Sequence, residues 1–138
     1  MRGSAWPANI LAVPQQMGWS PMAVKVKRVY DKPGKDDGTR ILVDRLWPRG
    51  LTKAGARADM WIKDIAPSDA LRRWFAHDPA RWPEFRKRYF MELKDNPQGL
   101  EPLRAKQREG TLTLLFGARD TEHNNGVALR EFLTKRRR

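Results

Sequence analysis

Hydrophobic and polar positions alternate from Val24 to Tyr30. Val24, Val26, Arg28 and Tyr30 fall on one side and Lys25, Lys27 and Val29 on the other, a period of two that predicts a strand. The stretch DKPGKDDG, rich in Asp, Pro and Gly, predicts a turn. Thr39 to Leu46 is β-branched and apolar enough for a buried second strand, closed by Pro48 and Gly50. Lys53 to Ala58 reads as a short helix, and Met60 to Ile65 as either a brief strand or a helix end.

From Ser68 the period lengthens. Ser68 is an N-cap, and Leu71, Trp74 and Phe75 share one face at i, i+3, i+4. Asp78-Pro79 starts the next helix, along which Trp82, Phe85, Tyr89 and Leu93 form an apolar stripe; Pro83 is tolerated there only within the first turn. Asn96-Pro97-Gln98-Gly99 reads as a break, Leu100 to Glu109 as a further helix, and Gly110 as its stop. Leu112, Leu114, Leu115 and Phe116 run almost continuously apolar, as a parallel strand covered on both faces does. A last helix runs from Asn125 to about Lys135, with Val127, Leu129, Phe132 and Leu133 on its inner side.

Strands alternating with helices predict the α/β class: one small three-layer domain with a mostly parallel sheet flanked by helices, over residues 24–134. Residues 1–23 differ, with one charge, three prolines and no sustained period, and are expected to be an extension outside that domain. They are too poor in basic residues for a signal peptide, although Trp6 and Trp19 are able to dock on the domain. Residues 135–138 form a basic tail.

Composition narrows the function. The chain of 138 residues lacks cysteine, which excludes disulfides, thiolate metal sites and cysteine nucleophiles and suits a cytoplasmic protein. No apolar run approaches the length of a membrane span. The net charge is +12, four of which sit in Lys135 to Arg138, so the surplus over the body is moderate. It would attract phosphates or nucleic acid. Two histidines and scattered carboxylates offer no metal-ligand spacing, and P-loop, G-x-G-x-x-G and G-x-S-x-G motifs are absent. No metal is expected, and no cofactor follows from the sequence.

In α/β sheets, ligands bind beyond the carboxyl ends of parallel strands. Two strands here end in polar clusters, Asp44 to Gly50 and Gly117 to Asn124, which open on one edge if the strands are neighbours. Arg45, Arg49 and Arg72 supply forked donors for a phosphate or carboxylate, Trp47 a flat face, and Asn124 an amide. Asp44 and His123 are the candidates for acid or base. An equally open reading is structural: Asp44 paired with Arg45, Trp47 in the core, and Pro48 to Gly50 as a turn. His77-Asp78 is read as a helix end followed by a cap. The expected function is a pocket for a small anionic ligand with acid/base chemistry; the alternative is a non-catalytic, salt-dependent nucleic-acid-associated module, and a protein-interaction module stays open beside both.

KRVYD, DGTRILVDRLWPRG, APSDALRRWFAHDP, the spacing of Phe85, Tyr89, Glu92 and Leu93, and TLTLLFGARDTEHNN together resemble the YeaO-like family, part of a larger group classed as a domain of unknown function. The resemblance spans about Val24 to Leu133 and implies a compact α/β domain without an established activity. Its motif positions fall here on Arg28, Tyr30, Asp37, Gly38, Arg40, Asp44, Arg45 and Trp47 through Gly50, then on Pro67, Ser68, Leu71, Arg72 and Asn124. Relatives in the wider group carry a Cys-His-Arg cluster after the last strand where this chain has Glu122-His123-Asn124, so thiol chemistry does not carry over.

Overall fold

The computed structural model describes residues 24–135, and the extension at 1–23 and the last three residues of the basic tail lie outside it. Four strands, β1 (Val24–Arg28), β2 (Thr39–Leu42), β3 (Met60–Trp61) and β4 (Leu112–Phe116), form one sheet in the order β1-β4-β2-β3. Every pairing is parallel. The helices are α1 (Lys53–Ala56), α2 (Asp69–Phe75), α3 (Trp82–Lys94), α4 (Pro97–Glu109) and α5 (Asn125–Thr134).

β4 is buried at all five positions because it has a strand on each side and apolar cover on each face. Alternation along the strands sorts the core. Ile41, Leu112 and Leu114 point into the large cluster with Phe85, Tyr89, Leu93, Leu103 and Leu129 from the long helices. Leu42 and Leu115, paired in register, point the other way into a small cluster with Val29 and Ala56, covered by Trp47, Leu51 and Trp61. The third layer is therefore thin: one helical turn and two indoles.

The sequence reading holds for element types and shifts at several boundaries. Strand geometry in β2 ends at Leu42, four residues short of the expected end, although the Val43 N–H still bonds the Leu115 carbonyl (3.1 Å). The undecided Met60–Ile65 stretch is both things in turn, a two-residue strand and then a 3-10 turn at Lys63–Ile65. Asn96 to Gly99 does not break the chain but starts α4: the Asn96 side chain accepts from the Gly99 N–H (3.1 Å) and Pro97 takes the first turn, where a missing N–H is harmless. That leaves Pro102 inside the helix. Pro79–Arg81 forms a 3-10 turn before α3, and Pro83 lies in the first turn of α3.

Candidate functional site

β4 lies beside β2, so the loops after them meet at one sheet edge, as expected for parallel neighbours. Asp44 joins the two. Its Oδ2 accepts from the Gly117 N–H (2.8 Å) and its Oδ1 from the Asn125 amide (3.0 Å), which also donates to the Val43 carbonyl (3.1 Å). The Trp61 indole N–H holds the Asp44 carbonyl at 2.7 Å. Burial pushes the Asp44 carboxyl above its ordinary pKa; the Asn125 and Gly117 bonds and the nearby His77 imidazole counter this only in part.

Arg45 does not pair with Asp44. Its Nη2 reaches the Pro67 carbonyl in a long 3.3 Å bond, and its Nε–H is buried with no partner. The guanidinium borders a cavity of about 170 Å³ between the end of β2, the loop after β3, and α3. Asp64, Ser68, Tyr89, Glu92 and Asn96 supply its other polar wall. Three of these are held by local hydrogen bonds. Ser68 caps α2 by accepting from the Leu71 N–H (3.2 Å), and both its own N–H (2.8 Å) and its hydroxyl (2.6 Å) donate to Glu92. The Tyr89 hydroxyl donates to the Ile65 carbonyl (2.6 Å), and burial, with Asp44 and Glu92 close by, raises its pKa well above the ordinary value.

The other expected site residues lie elsewhere. Trp47 donates to the Leu51 carbonyl (2.6 Å) and packs edge-on against Trp61 at 5.2 Å, inside the small cluster on the opposite sheet face. Arg49 is exposed, and its carbonyl accepts from the Tyr30 hydroxyl (2.8 Å). Arg72 is exposed and paired with Asp69 at 2.6 Å. Asn124 caps α5, accepting from the Val127 N–H (2.9 Å) and donating to the Asp120 carbonyl (2.9 Å). His123 bonds Asp120 through Nδ1 (2.9 Å) and meets the edge of Trp82 at 5.4 Å. The Glu122 N–H and His123 hold the Asp120 carboxyl below its ordinary pKa.

Of the seven residues expected at the site, Arg45 alone lines the cavity, with Asp44 one residue before it. Sequence reasoning missed Asn125, Trp61 and His77 as partners of Asp44, and Asp64 and Asn96 as cavity wall. Ser68 was read as a helix cap and Tyr89 as part of an apolar stripe, and Glu92 stood out only through the family resemblance. Six outer arginines are ion-paired: Arg72 and Arg73 with Asp69, Arg81 with Asp78, Arg86 with Glu131, Arg88 with Glu84 and Arg108 with Glu101. No described helix is long and apolar enough to cross a membrane, and no described cluster of acidic or histidine side chains has metal-binding geometry.

Fold and site thus define a small all-parallel α/β domain with a polar cavity at the carboxyl edge of its sheet. The family described as the "Inactive DUF488-N3 subclade" matches residues 23–138. The chain is 40% identical over 112 residues to the uncharacterized protein YeaO of Escherichia coli (strain K12), covering 81% of this chain and 97% of that protein. It is equally 40% identical over 113 residues to an uncharacterized protein of Mycobacterium tuberculosis (strain ATCC 25618 / H37Rv), covering 82% and 95%. No solved structure matches. The chain belongs to the YeaO-like family of the DUF488 group.

Proposed function

We propose that the domain binds a small carboxylate- or phosphate-bearing molecule at the carboxyl edge of its sheet and does not transform it, with Arg45 as the anchor. The observation that carries this reading is the Arg45 Nε–H, buried and unpartnered beside a cavity. Buried donors are nearly always paired, and a missing pair costs about 1–3 kcal/mol, so Arg45 is not placed there for the bonds it makes within the domain. A guanidinium matches a carboxylate or phosphate in shape and charge.

Binding without turnover fits the engagement of the acid/base candidates. Both Asp44 oxygens are occupied by Gly117 and Asn125, and the His123 Nδ1 by Asp120. They position the loops that frame the edge. The description of the matching family as inactive agrees.

The test is native mass spectrometry of the purified protein for a co-purified small anion, repeated on Arg45→Ala and Arg49→Ala. Loss of the ligand from Arg45→Ala with retention by Arg49→Ala is expected. Equal retention by all three proteins removes Arg45 from the role.

A further inference from the structure

The cavity that Arg45 lines is also bordered by Glu92 and Asp64, and this limits what it can accept. Arg45 and Glu92 border the same space with opposite charges, yet no ion pair joins them, and none joins Arg45 to Asp64. Glu92 is held in place by two donors from Ser68, its N–H and its hydroxyl, which leaves lone pairs on both carboxylate oxygens. A simple anion drawn to Arg45 would sit close to that carboxylate. A molecule that carries a cationic nitrogen beside its acid group would satisfy both residues.

Size narrows the class further. A cavity of about 170 Å³ is close to the ~150 Å³ space that admits a molecule the size of benzene. That suits a group of roughly six to eight heavy atoms inside it. The remaining wall, Ile65, Ala66 and Leu93, is apolar and offers room for a short aliphatic group.

We infer that the cavity takes a small zwitterion of the free amino acid type, its carboxylate on Arg45 and its ammonium on Glu92. The inference rests on the small-anion reading of the same cavity and adds the second charge. Glu92 is a specificity residue here: it separates an amino acid from the plain carboxylate of the same shape.

The experiment is calorimetric titration of the whole chain with L-alanine, propionate and inorganic phosphate, repeated on Glu92→Gln and Arg45→Gln, with thermal unfolding to check each variant's fold. Glutamine keeps an acceptor for Ser68. L-alanine is expected to bind at least tenfold more tightly than propionate or phosphate. Glu92→Gln reduces alanine affinity to that of propionate without weakening propionate, and Arg45→Gln weakens both. Propionate or phosphate binding as tightly as alanine, with Arg45→Gln still weakening it, overturns the zwitterion and leaves the small-anion reading standing. Absence of binding by all three probes overturns the zwitterion reading, and retention of any co-purified anion by Arg45→Ala overturns the small-anion reading separately.

Discussion

The two ends of β2 carry the same pair of residue types in opposite states. At the amino end, Asp37 and Arg40 are 4% and 5% exposed and saturated. Arg40 places Nη1 on Asp37 (2.6 Å), Nη2 on the Ala56 carbonyl (3.0 Å) and Nε on the Arg57 carbonyl (2.7 Å). Asp37 also receives the Gly34 N–H (2.9 Å) and the Lys27 ammonium (3.2 Å). At the carboxyl end, Asp44 and Arg45 turn away from each other, and Arg45 keeps one long bond and one orphaned donor. A saturated pair locks the chain, whereas an unsaturated one has capacity left for a ligand. Adjacent motif residues therefore divide into scaffold and site by how completely their hydrogen bonds are used.

Glycine substitutions at the two ends give the largest contrast. Gly38, which enters β2, has φ +65°, and a Cβ there would lie 2.0 Å from the Thr111 carbonyl oxygen. Gly50, after the carboxyl-end loop, has φ +82° but open space around it. Gly38→Ala should cost more than about 4 kcal/mol in urea unfolding, beyond the ordinary range for point changes. Gly50→Ala should cost about 1–2 kcal/mol, the penalty of a left-handed backbone alone. Equal costs would remove the distinction between a locked and an open end.

Arg40→Ala comes next. Removing one partner of a buried pair costs about 3–5 kcal/mol, and the low end is expected because Lys27 still faces Asp37. The pH dependence carries its own sign. Burial would raise the Asp37 pKa, but the Gly34 N–H, Arg40 and Lys27 outweigh it and hold it below 3.8. Asp37 therefore contributes stability above its unfolded pKa and loses it as pH falls through its lower folded value. Asp37→Asn should flatten the acid limb of a stability-versus-pH curve; an unchanged limb would contradict the saturated pair.

The strands, the helices and the shared edge were legible because each follows from local pattern: alternation in Val24–Tyr30, the apolar run in Leu112–Phe116, the cap at Ser68. The division of labour within the edge was not. Asn125 lies 81 residues from Asp44, and no local spacing links them. Trp47 was expected beside Arg45, yet β2 ends at Leu42 and the chain turns, so the indole crosses to the face occupied by Trp61. Arg72 was expected in the pocket, but a carboxylate three residues earlier on its own helix holds it at the surface. Orphaned donors are visible only once every partner is known.

Asp44→Asn tests the carboxyl end through the opposite sign. Its raised pKa means that the folded protein keeps this proton to higher pH than the unfolded chain, so its contribution is full below 3.8 and is lost as pH rises through its folded value. The amide loses one acceptor toward Gly117 or Asn125, a cost of about 1 kcal/mol where Asp44 is protonated. That deficit should shrink as pH rises above 3.8, measured by urea unfolding across pH. A deficit that grows with pH would mean that Asp44 is a stabilised carboxylate like Asp37.

The smallest expected effect is the most diagnostic. Arg45→Met removes one long hydrogen bond, worth about 1 kcal/mol, and also removes a buried unpaired donor, whose cost at the low end of its range is about 1 kcal/mol as well. Methionine retains most of the aliphatic stem that packs along the cavity wall. The stability of the ligand-free protein should change by no more than about 0.5 kcal/mol in either direction, against the loss of about 3 kcal/mol expected for Arg40→Ala. A loss near that of Arg40 would mean that Arg45 is scaffold, its orphaned Nε–H notwithstanding. Near-neutrality together with lost ligand retention would mark an arginine kept at a site where folding does not need it, as a binding residue is.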